Sequence, residues 1–138
     1  MTDERFKALL LELAHLGGLA DPSQLVDTGR VKVGEVDVTI ENGSSAAGDV
    51  MRFHVHVGDL SARGAPDAKA LLKANYTASY AGSRFFGTVP LTSEAAATLD
   101  APQASGMSAQ ELWAHLSQAA IEGKRLWDEA CSQHGGHA

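Results

Sequence analysis

Between Leu16 and Arg30 the chain exchanges one hydrophobic period for another, and that switch restricts the fold more than any other feature. Up to Leu16, the residues Phe6, Leu9, Leu10, Leu13 and Leu16 recur at helical spacing; from Arg30 onward, apolar residues alternate with polar ones. A period near 3.6 gathers side chains on one stripe of a helix, whereas a period of 2 sends neighbours to opposite faces of a strand. A chain that does both in succession is expected to lay the helix stripe on one face of a sheet and leave polar residues on the other.

The individual elements follow from this pattern and its punctuation. Thr2 as cap, Asp3 and Glu4 in the first turn, and the stop at Gly17-Gly18 predict a helix over 3–16. Asp21 to Asp27 reads as a connector. Val31 and Val33 alternate with Arg30 and Lys32, and after a turn at Gly34, Val36, Val38 and Ile40 alternate with Glu35, Asp37, Thr39 and Glu41. A turn-rich stretch from Asn42 to Asp49 leads to a third strand, where Met51, Phe53, Val55 and Val57 alternate with Arg52, His54 and His56. An antiparallel meander is the expected arrangement.

Pro66 and Asp67 open a short helix to about Asn75 that carries Leu71 and Leu72. Arg84–Leu91 and Ala95–Ala101 form a second predicted hairpin around 92–94, with Pro90 marking an edge or a strand end. Ser108 and Glu111 make a capping box, and Met107 is placed to staple onto Leu112. A long final helix follows, with Leu112, Leu116, Ala119, Ala120, Leu126, Trp127 and Ala130 on its stripe, Trp113 beside it and Gly123 expected to loosen its middle. The sum is an α+β fold, a twisted antiparallel sheet of about five strands with three helices in the order α-β-β-β-α-β-β-α. One domain is expected over residues 1–132, with 133–138 a frayed tail.

Composition narrows the function classes. With 44% hydrophobic and 20% charged residues, the 138-residue chain has the makings of a real core. Seventeen acidic against 11 basic residues give a net charge of −6, which repels phosphate backbones and anionic lipid, and argues against nucleic-acid binding or membrane insertion. The single cysteine, Cys131, has no intrachain partner, which suits a reducing, cytoplasmic compartment. Glu12 and His15 interrupt the apolar run of 9–16 too early for a secretion signal, and no stretch reaches membrane-spanning length.

No sequence motif supplies a catalytic centre. His54 and His56 share one strand face at a spacing that lets two imidazoles approach one metal, and a small metal-dependent enzyme built on them is the catalytic alternative; two solvated histidines on the outer face are the favoured reading, since no motif anchors a third ligand. Cys131, His134 and His137 superficially suggest a metal tail, but the glycines between the two histidines favour a frayed terminus. Ser93-Glu94 and Ser108 with Glu111 are accounted for by turn and cap chemistry. No nucleophile elbow, P-loop or dinucleotide fingerprint occurs, so neither a catalytic residue, a metal site nor a cofactor is expected. Phe85, Phe86, Trp113 and Trp127 read first as core. Leu11 lies off the Phe6, Leu10 and Leu13 seam, so something besides the sheet is expected to cover it.

The order of elements, the size and acidity, and the segment Leu71-Leu72-Lys73-Ala74-Asn75 together resemble the class I type III secretion chaperones, the Tir-chaperone or CesT-like family, whose second helix ends in a similar L-L-x-A-N. The likeness spans nearly the whole chain. It implies a homodimer that holds the N-terminal region of a secreted effector in extended form, without ATP or catalysis. It also implies that Leu9, Leu11, Leu13 and Leu16 with Val31, Val33, Val36 and Val38 line effector-binding patches, and that Leu71, Leu72, Tyr76, Phe85 and Phe86 sit near the dimer interface. A partner strand added to a sheet edge suits that role. An adaptor or regulatory domain of the same fold, holding a folded partner, is the alternative within the binding class.

Overall fold

In a computed structural model the chain is described over residues 2–19, 21–45, 48–78, 84–89, 92–102 and 107–135. Within these, the elements run α1 (Asp3–Leu16), α2 (Pro22–Thr28), β1 (Arg30–Val33), β2 (Val36–Ser45), β3 (Gly48–Asp59), α3 (Ala68–Ala78), β4 (Arg84–Thr88), β5 (Glu94–Pro102) and α4 (Ala109–Gly135). The strands form one sheet of order β1-β2-β3-β5-β4, antiparallel at every pairing. The α+β class and the five-stranded antiparallel sheet agree with the sequence reading; the number of helices does not.

The additional helix is α2, in the segment read as a connector. Its signals are in the sequence: the Asp21 side chain accepts from the Gln24 N–H, Pro22 occupies the first turn, and Gly29 ends the helix in the left-handed region at φ 69°. A Cβ at residue 29 would lie 2.7 Å from the Ile40 carbonyl oxygen, so both backbone angle and space demand glycine there. At seven residues α2 makes only about two turns, shorter than the roughly 11-residue window over which a helical apolar period can be recognised.

The other helices begin where their caps dictate. Thr2 Oγ1 accepts from the Arg5 N–H, Asp67 accepts from the Ala70 N–H to start α3, and Ser108 Oγ accepts from the Glu111 N–H at the head of α4. Met107 and Leu112 are both buried beside that last cap, as the staple requires. The strands β2 and β3 outrun their predicted ends. Their register continues from Val38 opposite Val55 out to Ser45 opposite Gly48, so the Asn-Gly-Ser stretch is drawn into a long hairpin despite its low strand propensity. The tip of that hairpin, together with Pro90, His137 and the end of the predicted tail, lies outside the described residues.

One face of the sheet carries the core. Rows such as Val38, Val55, Ala97 and Phe86 run across four strands and are buried beneath Leu9, Leu10 and Leu13 of α1 and Leu112, Leu116 and Trp127 of α4. Helix α4 comes unusually close. A Cβ on Gly123 would fall 2.9 Å from the Val55 side chain, and one on Gly58 would fall 2.6 Å from the Trp127 ring. Gly123, expected to loosen the helix, instead lets it settle onto β3. The ladder slips by one residue between His56 and Gly58, a bulge that turns the end of β3 beneath Trp127.

Candidate protein-binding surface

The sequence-predicted binding residues separate into buried and exposed sets. On α1, Leu9 and Leu13 are fully committed to the core, whereas Leu11 (41% exposed) and Leu16 (50%) project into solvent. Val31, Val33 and Val38 are buried on the helix-covered side of the sheet, and Val36 is half-buried. Leu19, just past α1, adds a third exposed leucine that the helical period did not reach. With 39–50% of each residue still in water, covering these leucines would add roughly half of the ~1.5–3 kcal/mol of a full burial apiece, which makes the region a candidate contact surface.

A second exposed set lies on α3. Leu72 and Tyr76 are each 68% exposed and stand one helical turn apart, while Leu71 is half-buried and Phe86 buried. Phe85 lies in β4 opposite Thr98. Asn75, between Leu72 and Tyr76 in the sequence, turns toward the sheet: its Oδ1 accepts from the Phe86 N–H at 2.5 Å, and its Nδ2 donates to the Phe86 carbonyl at 3.1 Å. Trp113 and Ile121 are further exposed apolar residues on α4.

The outer sheet face carries a polar network that ties four strands together. His54 lies between Thr98 Oγ1, 2.9 Å from its Nδ1, and Glu41 Oε2, 2.7 Å from its Nε2. A carboxylate can only accept, so Nε2 carries the proton and the Thr98 hydroxyl donates to Nδ1 in the neutral ring. Arg52 donates from Nε and Nη2 to Asp100, and Arg30 reaches both Asp37 (3.0 Å) and Glu94 (3.4 Å).

His56 is the more enclosed of the two histidines, with its side chain only 10% exposed against 30% for His54. Its Nε2 shares a hydrogen bond with Thr39 Oγ1 at 2.8 Å; its Nδ1 lies 2.5 Å from Glu94 Oε1, a close contact off the direction a hydrogen bond needs and an ion pair only when the ring is protonated. Burial, and next the Arg30 cation, push the His56 pKa below the ordinary histidine value, while Glu94 and Asp37 pull the other way. His54 and His56 thus share a face, as predicted, but each turns to its own Thr and Glu. Among the described residues, no cluster of three or more His, Cys, Asp or Glu has the arrangement of a metal site.

Beside His56, an open cleft of about 440 Å³ is lined by Arg30, Asp37, Asp59, Ser93 and Glu94 among others. The Ser93 and Ser61 hydroxyls both donate to Asp59 and hold its carboxyl below the usual range. Ser93-Glu94 is therefore no reactive pair: Ser93 donates to Asp59 at the end of β3, and Glu94 pairs with Arg30 of β1. Cys131 is half-buried on α4, where burial and then Asp128 push its thiol pKa up, away from the reactive thiolate. Sequence reasoning could place the outward-facing histidines through alternation, but not Glu41, Glu94, Thr39 and Thr98 beside them, because those meetings depend on strand register.

No family model and no curated protein matches the chain. Among solved structures, a chain of the HopA1–SchA chaperone–effector complex is similar in fold, with a TM-score of 0.57 and 14% identity. The match covers 92% of this chain and 95% of that one. At such identity the likeness is one of architecture: the same arrangement of helices on one face of an antiparallel sheet extends over almost the whole of both chains.

Proposed function

We propose that the chain is a dimeric cytoplasmic chaperone of the type III secretion kind, which binds the N-terminal region of an effector in extended form and keeps it competent for export. The observation that carries this reading is the fold shared, over 92% of the chain, with a chain of a chaperone–effector complex. The Leu71–Asn75 segment, similar to the family's L-L-x-A-N, supports it independently of the fold comparison.

On this reading, Leu11 and Leu16 of the α1 set receive apolar side chains of the effector, while Leu9, Leu13, Val31, Val33 and Val38 act beneath them by holding the surface in shape. Val36, half-buried at the β1–β2 turn, lies at the margin. Leu72 and Tyr76 meet the second protomer, backed by Leu71 and Phe86, and Phe85 belongs to the same β4 segment. No reaction and no cofactor are assigned.

The test is copurification from the native host with mass spectrometry to identify the bound protein, then co-expression of the pair, light scattering and limited proteolysis. A dimer that shields one N-terminal effector segment from protease supports the reading. A chain that stays monomeric at micromolar concentration and leaves the effector unprotected overturns it. Zinc bound stoichiometrically by tag-free protein, and lost when both His54 and His56 are replaced, would point to the metal-enzyme alternative instead.

A further inference from the structure

The sheet order leaves two edges, β1 and β4, each with backbone groups directed away from its one neighbour. On β4 the alternation is fixed by the Val89 N–H, which donates to the Glu94 carbonyl at 2.9 Å. Counting back along the antiparallel register, Gly87 and Phe85 face β5 through their backbone groups, and Arg84, Phe86 and Thr88 face outward. Phe86 is the middle of those three. Both of its outward groups are occupied by one side chain, the Asn75 amide, which accepts from the N–H and donates to the carbonyl. A carboxamide has the same donor and acceptor pair as a peptide unit, and here it stands where the next strand's peptide would stand.

We propose that Asn75 is an internal strand surrogate: it closes the β4 edge against pairing with the β4 strand of a second copy of this chain. Strand β4 has five residues, so its outward positions span only about 14 Å at roughly 3.4 Å per residue. With the central pair taken, the positions at Arg84 and Thr88 are too far apart to begin a continuous ladder. A second copy approaching this side meets instead the exposed Leu72 and Tyr76, on either side of Asn75 in α3. The consequence for the dimer rests on the function proposed above: the protomers pack through α3 side chains and do not continue one sheet into the next. The closed edge itself does not depend on that reading.

Four proteins test it: the full chain, Asn75→Ala, Asn75→Asp, and Asn75→Ala combined with Thr88→Lys, each checked for fold by circular dichroism. In the parent chain, NMR should show slowly exchanging Asn75 side-chain amide protons and a protected Phe86 amide. In Asn75→Ala, exchange at Phe86 should rise by about tenfold, the effect of losing a hydrogen bond. Sedimentation should then show species heavier than the parent's that grow with concentration. Asn75→Asp keeps the acceptor, so Phe86 N–H protection should be partly retained. The edge lysine should abolish the heavier species while leaving Phe86 exchange fast.

Freely exchanging Asn75 side-chain protons in the parent chain would overturn the proposal even if the alanine variant failed to fold. So would a folded alanine variant with faster Phe86 exchange and the parent's mass at every concentration. A parent chain that is monomeric would count against the proposed dimer and leave the edge result standing.

Discussion

Gly123→Ala sets two physical effects of opposite sign against each other at one site. In an exposed helix, the change stabilises by about 0.8–1 kcal/mol, because glycine is the poorer helix former. Here the added Cβ would sit 2.9 Å from both Cβ and Cγ1 of Val55 and 3.2 Å from its Cγ2. Carbon atoms prefer about 3.5–4.0 Å, so the helix must lift, or β3 must yield, by roughly 0.6 Å or more. Val55 is fully buried in the central row of the core and has little room to move. Overpacking of this kind costs about 1–3 kcal/mol, which outweighs the helix gain and leaves a net destabilisation centred near 1 kcal/mol.

Equilibrium urea unfolding at fixed protein concentration, followed by circular dichroism, should show a lower midpoint with an unchanged slope. Adding Val55→Ala removes two of the three close contacts, so the double variant should be more stable than the sum of the single changes predicts, by about 0.5–1.5 kcal/mol. A Gly123→Ala protein stabilised by about 1 kcal/mol, additive with Val55→Ala, would show that α4 does not lie this close to the sheet.

Leu11→Asp should leave stability within about 0.5 kcal/mol of the parent, since the side chain is already exposed, and, on the proposed function, should weaken co-purification of an effector; Leu10→Asp, on the buried side of α1, should unfold the chain by placing a charge in the core. Acidification should destabilise the fold through His56. Its folded pKa is depressed, so below the unfolded value of about 6.5 the unfolded chain binds more protons, and stability falls as pH drops through that range. The groups facing it are Thr39 and Asp37 on β2, Arg30 on β1 and Glu94 on β5. His56→Gln should flatten the decline of melting temperature between pH 7 and 5, and an unchanged slope would remove His56 from the account.

How much the sequence reveals depends on whether a feature is local. Alternation from Arg30 to Val57 identifies three strands and their inner residues, because a half-buried strand must alternate. Both ends of α1 and the head of α4 are legible in Thr2, Gly17 and the Ser108–Glu111 pair, because caps act within a few residues. What escapes is non-local. The position of β5 between β3 and β4 depends on tertiary pairing, and so do the meeting of Gly123 with Val55 and the pairing of His56 with Glu94. Leu11 could be separated from its neighbours by helical phase alone, whereas Leu9 and Leu13 belong to the same heptad-like run and only packing shows them buried. Asn75 was legible as part of a short motif, but its bond to Phe86 was not.

The proposed docking of an extended segment has few places left on this sheet. One face is under the helices, the other is occupied by the His54, His56, Arg30 and Arg52 contacts, and the β4 edge is met by Asn75. The β1 edge differs. The Ile40 N–H donates to the Gly29 carbonyl at 2.7 Å, so the hydrogen-bonded pairs of the first hairpin fall at 29 with 40, 31 with 38 and 33 with 36. Arg30 and Lys32 therefore direct their backbone groups outward. The Thr28 hydroxyl takes the Arg30 N–H at 3.1 Å, and Lys32 keeps the donor and acceptor that an added strand would use. Lys32→Pro removes that donor without touching the internal ladder, a change that edge strands tolerate. On the proposed function, it should leave the unfolding midpoint near the parent's and weaken effector binding by about tenfold, the size of one or two lost hydrogen bonds. Equal affinity in a well-folded Lys32→Pro protein would mean that the effector is held by the leucines of α1 without joining the sheet.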